Sequence, residues 1–204
     1  MKVVVGTPMI RLGPWEHRWF QCVSKYPHNP KEIVVASENS ALLEAVNKQY
    51  PYAKTIHFTF ERPPWTQERV FAIAEAREQL RKYVCEHKDV EWLFMVDSDV
   101  ETPPDAFQRL YDIAMQGYNL VFSRQVGLIL LMHRDVCESV KWYTCKNFRD
   151  RSLYLEETHQ IERQIEEYNS WRVNELKKPP IFKVYILQAK WARHKDYPLG
   201  VYSK

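Results

Sequence analysis

The residues Trp92-Leu93-Phe94-Met95-Val96 form an uninterrupted apolar run that ends on Asp97-Ser98-Asp99. Five large apolar residues in succession leave no polar face, so the run reads as a strand buried on both sides, the kind found at the centre of a parallel sheet. Two acids then emerge at its carboxyl end, where ligands bind in open α/β sheets. Alternation along an extended strand turns Asp97 and Asp99 the same way, with Cα atoms roughly 6.5 to 7 Å apart and Ser98 opposite. Carboxylates this close repel, and at an effective dielectric of about 20 two like charges 4 Å apart cost roughly 4 kcal/mol. A shared divalent cation, bridged to a diphosphate, removes that cost. The competing reading is a helix N-cap cluster ahead of Thr102-Pro103-Pro104, with Thr102 as the cap and Pro103 at the first helical position. Because Thr102 then serves as the cap, Asp97 and Asp99 are left needing another role.

The rest of the chain alternates strand and helix. Strands are expected over Lys2 to Thr7, Glu32 to Ala36, Thr55 to Phe60, Asn119 to Ser123, Gly127 to Met132 and Ile181 to Leu187. Helices are expected over Glu16 to Tyr26, Ser40 to Tyr50, Thr66 to His87 and Asp135 to Thr144, with one of about twenty residues after Ser152. Such alternation predicts an α/β fold, a Rossmann-like three-layer sandwich with a mostly parallel mixed sheet. At 204 residues, residues 1–204 make one domain with a full core and no room for an independent second one. On the helix from Thr66, Val70, Ile73, Ala74, Leu80, Tyr83 and Val84 form a core-facing stripe, and Arg77 falls in its middle. An arginine on such a face needs an anion, either a carboxylate or a phosphate.

Several classes are disfavoured. Neither G-x-G-x-x-G nor G-x-x-x-x-G-K-[ST] occurs, which argues against dinucleotide oxidoreductases and P-loop NTPases. The turn Gly6-Thr7-Pro8-Met9-Ile10-Arg11 lacks the glycine-rich, basic character expected of a sugar-nucleotide pyrophosphorylase. Cys22, Cys85, Cys137 and Cys145 show no C-x-x-C spacing, so free thiols are expected. With no apolar run near the roughly 20 residues of a membrane span and no signal peptide, a soluble, cytoplasmic protein is expected. From Lys177 onward there are seven Lys/Arg and one Asp, so the tail carries +6 of a chain whose total is +3. A basic tail suits phosphates or an anionic membrane surface.

In this order, the elements resemble the GT-A glycosyltransferase fold. Val3-Val4-Val5-Gly6-Thr7-Pro8 is similar to the opening strand of family-2-like members, and Val34-Val35-Ala36-Ser37-Glu38 to their second. Ala76-Arg77 resembles the Ala-Arg step before their metal strand, Phe94-Met95-Val96-Asp97-Ser98-Asp99 their DxD motif, and Thr102-Pro103-Pro104 the proline that follows it. Family-2 members usually end the second strand on an Asp that holds the base; Ser37-Glu38 stands there in this chain. The compact size looks most like the small viral members of this fold.

The resemblance implies metal-dependent transfer of a sugar from a nucleotide-diphosphate sugar to an acceptor hydroxyl, with inversion. Thr7, Pro8, Arg11, Glu38, Arg77, Asp97 and Ser98 would line the donor site, and Asp97, Asp99 and His194 would hold Mn²⁺ or Mg²⁺. Asp150 is the first candidate for the base and Glu157 the second; Asp150 can equally be an N-cap. The acceptor is a protein, a glycan or a lipid-linked species. Lys190, Arg193 and Lys195, interleaved with Trp191 and Tyr197, would support weak peripheral membrane contact or else lie over the diphosphate. Two other classes stay open, a catalytically inactive GT-A-like interaction protein and a nucleic-acid-binding α/β domain. The latter leaves Asp97 and Asp99 repelling phosphates, so no nucleic-acid partner is expected.

Overall fold

A computed structural model describes residues 2–27, 31–60, 70–123, 129–140, 157–178, 180–187, 189 and 191–194. The chain opens β1 (Lys2–Pro8), α1 (Pro14–Ser24), β2 (Lys31–Ser37), α2 (Ser40–Gln49), β3 (Ala53–His57), α3 (Val70–Glu86) and β4 (Val90–Val96). It continues β5 (Val100–Glu101), α4 (Ala106–Ala114), β6 (Leu120–Ser123), β7 (Ile129–His133), α5 (Arg134–Ser139), α6 (Glu157–Asn174), β8 (Val184–Leu187) and β9 (Arg193–His194). Seven strands form one sheet in the order β3-β2-β1-β4-β7-β6-β8. Every pairing is parallel except those of β7, which runs against both β4 and β6. The expected mixed, mostly parallel sheet is therefore present.

Side-chain alternation along the strands divides the core into two layers. Val3, Val5, Val35, Phe94 and Val96 pack beneath α1, α2 and α4. Their neighbours Val4, Val34, Leu93 and Met95 face α3, α5 and α6. Leu93, Phe94, Met95 and Val96 have no exposed surface, as a central strand covered on both faces requires. Gly6 lets α3 approach β1 closely: a Cβ at this position would lie 3.1 Å from Leu80 Cδ2 and 3.2 Å from its Cδ1.

Tertiary pairing moves several element boundaries. The third strand starts at Ala53 because Ala53 pairs with Ile33 of β2, and it ends at His57 opposite Ser37, short of Phe60. Helix α5 ends at Ser139, and residues 141–144 of its expected extent lie outside the described residues. Thr102 caps no helix. Helix α4 begins at Ala106 with Asp105 at its N-cap, while the Thr102 hydroxyl is buried against the Tyr26 hydroxyl. The two-residue strand β9, not expected from the sequence, pairs antiparallel with β5 in a separate ribbon, Val100 opposite His194 and Glu101 opposite Arg193.

Candidate active site

The carboxyl ends of β1, β2 and β4 lie along one edge of the sheet, and most candidate residues with described side chains gather there. Strand β4 stops where the Asp97 carbonyl accepts a hydrogen bond from the Val100 N–H at 3.0 Å, closing Asp97-Ser98-Asp99-Val100 into a turn. This corrects the expectation of strand alternation through Asp99: alternation ends at Asp97, and a tight turn sets the relation between the two acids. Just upstream, the Trp19 indole N–H donates to the Val96 carbonyl at 3.1 Å, tying α1 to the last residue of the strand. No signal in the sequence marks Trp19 for this role, since the contact spans 77 residues.

Arg77 meets its anion here. Its Nη2 donates to Asp97 Oδ1 at 2.8 Å, with the Arg77 side chain 5% exposed and that of Asp97 22% exposed. Of the two anions open from the sequence, the structure supplies the carboxylate. Arg77 therefore reaches the site through Asp97. Asp99 is half-buried and Ser98 buried within the same turn.

Beside this turn, a cleft of about 100 Å³ opens at the ends of β1 and β2 and is bounded by Pro8, Ile10, Glu38 and Phe58 with Ile73 and Ala76 of α3. The β2–α2 connection that forms one wall is held by its own polar groups. Ser37 Oγ accepts from the Asn39 N–H at 3.2 Å, Asn39 Oδ1 accepts from Leu42 N–H at 3.0 Å to cap α2, and His57 Nε2 lies 3.2 Å from the Glu38 carbonyl. Glu38 is thereby presented half-exposed at the rim.

The remaining candidates divide. Thr7 is fully buried and its hydroxyl donates to the Pro8 carbonyl at 3.1 Å, so, against expectation, it does not line the cleft. Arg11 is exposed and its Nε donates to Glu16 Oε1 at 3.3 Å; the buried Glu16 also accepts from the Gly13 N–H at 2.9 Å, which fixes the turn after β1. Met9 sends its N–H to the Ala36 carbonyl at 3.0 Å. His194 is placed opposite Val100 by the β5–β9 pairing, one residue past Asp99, and its side chain lies outside the described residues. Asp150 also lies outside them, and Glu157 is described only as the first residue of α6. Of the basic end, Trp191 and Arg193 are described, whereas Lys190, Lys195 and Tyr197 are not.

The sheet order with its single reversed strand, and the acids at the end of β4, invite comparison with solved structures. Residues 1–349 of TarS from S. aureus superpose with a TM-score of 0.58 at 10% identity, over 93% of this chain and 58% of that one. The mannosyltransferase PcManGT from Pyrobaculum calidifontis, solved with GDP-Man and Mn²⁺, gives a TM-score of 0.56 at 12% identity, over 92% of this chain and 55% of that one. The chain has the GT-A fold. It spans less than two thirds of the length of either of these structures. A 4-diphosphocytidyl-2C-methyl-D-erythritol synthase from Anaerococcus prevotii is also similar, with a TM-score of 0.53 at 9% identity over 91% of this chain and 86% of that one. No family model matches this sequence, and no curated protein matches it either.

Proposed function

We propose that this protein is a metal-dependent glycosyltransferase that moves a sugar from a nucleotide-diphosphate sugar to an acceptor hydroxyl with inversion of configuration. The observation that carries the reading is the Asp97-Ser98-Asp99 turn, pinned by Arg77 and Trp19 at the end of β4, beside the Glu38 cleft of a GT-A sheet. The mannosyltransferase of like fold, solved with GDP-Man and Mn²⁺, supports the donor class and the ion.

The donor set fits a hard divalent cation. Two carboxylates in one tight turn offer oxygen ligands, and among the described residues no group of three His, Cys, Asp or Glu side chains forms a closed cage. Mg²⁺ and similar ions bound through one or two carboxylates plus substrate phosphates need no such cage. A bound Mn²⁺ or Mg²⁺ would offset the charge that grows on the departing diphosphate.

The protein's own residues do the rest. Arg77 fixes the Asp97 carboxylate in orientation, the cleft walled by Pro8, Phe58 and Ile73 excludes water from one face of the nucleoside, and Glu38 offers an acceptor to base or ribose donors. Transfer through an oxocarbenium-like state needs one base to take the acceptor proton, a role we assign to Asp150, with Glu157 as its alternative.

A nucleotidyltransferase of the same fold has to wrap phosphates with the loop after β1. Here the first amide of that loop, Met9 N–H, is committed to the Ala36 carbonyl. The two chemistries differ in product. Incubation of GDP-mannose and UDP-glucose with the protein and Mg²⁺, followed by ³¹P NMR, should yield nucleoside diphosphate through slow transfer to water or to an added sugar. Nucleoside triphosphate formed only when pyrophosphate is added would replace this reading with nucleotidyl transfer.

A further inference from the structure

A second cleft of about 390 Å³ lies on the other face of the sheet's edge, between the end of α1 and the β5–β9 ribbon. Its size falls within the roughly 300–1,000 Å³ typical of small-molecule sites. Trp191, Pro103 and Pro104 supply apolar wall, and Lys25, Glu101 and Arg193 supply charge. The Trp191 indole is held from outside, with the Arg109 guanidinium carbon 5.7 Å from the ring centroid and Arg109 itself paired to Asp105 at 2.8 Å. Thr102, which lines the same cleft, is locked to Tyr26, so the floor is rigid.

Glu101 is the informative member. Its Oε2 is buried and accepts no hydrogen bond among the described residues. That oxygen is closed to solvent, so a ligand in the cleft meets Glu101 through the rest of its half-exposed side chain, and a carboxylate there favours a ligand that brings O–H or N–H donors. Lys25 and Arg193 disfavour a cationic ligand, and Glu101 disfavours a purely anionic one. What matches all three charges is a neutral polyol that both donates and accepts, with apolar C–H surface to lay against an indole.

We propose that this cleft is a saccharide-binding subsite, with a pyranose stacked on Trp191, its hydroxyls donating to Glu101 and accepting from Lys25 and Arg193. Glu101 stands two residues beyond Asp99, so the occupant would lie beside the turn at the end of β4. Its role as the acceptor's place rests on the glycosyltransferase reading; saccharide binding itself does not.

The test uses the full chain with neutral trisaccharides (chitotriose, maltotriose, cellotriose and mannotriose) at millimolar concentration, read by saturation-transfer NMR and calorimetry. At least one should bind. Its affinity should fall by about tenfold or more in Glu101→Gln, which keeps the side-chain shape, and in Trp191→Leu. Mn²⁺-dependent binding of GDP-mannose or UDP-glucose in Glu101→Gln should match wild type. If none of the four binds wild type, or if binding is equal in both variants, the subsite is wrong. Binding of a sulfated disaccharide alone, lost in Lys25→Ala/Arg193→Ala, would make it an anion site and also overturn the proposal. Trisaccharide binding without any nucleotide binding would leave the cleft standing and remove the glycosyltransferase reading.

Discussion

Arg77 and Asp97 join the middle of α3 to the end of β4 through a 2.8 Å contact that is almost wholly withdrawn from solvent on the arginine side. Removing one partner of such a pair leaves a charge uncompensated, which costs far more than the pair contributes when intact. Arg77→Met should therefore destabilise the fold by about 3 kcal/mol in urea titrations and should weaken donor binding, because Asp97 loses its orientation. A variant as stable as wild type would show that the contact is not held in solution.

The assignment of the base separates binding from chemistry. Asp150→Asn should retain donor affinity while turnover drops by about 10²- to 10⁴-fold, the usual contribution of a general base. Normal turnover in Asp150→Asn combined with loss in Glu157→Gln would move the role to Glu157.

At the opposite end of the sheet, Glu32 gathers Lys2 and Lys54 on Oε1 and the Tyr83 hydroxyl on Oε2, each at 2.8 Å. Burial alone would raise its pKa, but the hydrogen bonds from Lys2, Lys54 and Tyr83 outweigh that and lower it from 4.5 to about 2. A depressed carboxylate stabilises the fold above its unfolded pKa, and that contribution is lost as pH falls from 4.5 toward 2. Glu32→Gln should cost on the order of 2 kcal/mol at neutral pH, and the gap to wild type should close through that acid window. A gap that stays constant with pH would place the stabilisation elsewhere.

Local pattern carried the central part of the fold because its strands are covered in a way that their own residues declare. The Trp92 to Val96 run could only be a central strand, and the Val70 to Val84 stripe set both the position of α3 and the inward aim of Arg77. Long-range pairing was not readable. The start of β3 depends on Ile33, the role of Thr102 on Tyr26 across 76 residues, and the turn at Asp97 on a backbone bond to Val100. The cleft formed by Pro8, Glu38, Phe58 and Ile73 assembles four separate segments, so only Pro8 and Glu38, at the ends of β1 and β2, could be named beforehand.

On the glycosyltransferase reading, Asp97 and Asp99 hold a divalent cation against a sugar-nucleotide diphosphate. Calorimetric titration of GDP-mannose and UDP-glucose into wild type and Asp99→Ala, each with Mn²⁺ and with EDTA, tests it most directly. Wild type should bind one of the two donors only with Mn²⁺. Asp99→Ala should lose at least about tenfold in affinity while remaining folded, since Asp99 sits in a turn past the end of β4. Equal affinity in the two proteins with Mn²⁺ present, or wild-type binding that is indifferent to EDTA, would rule out a cation held by this pair of acids.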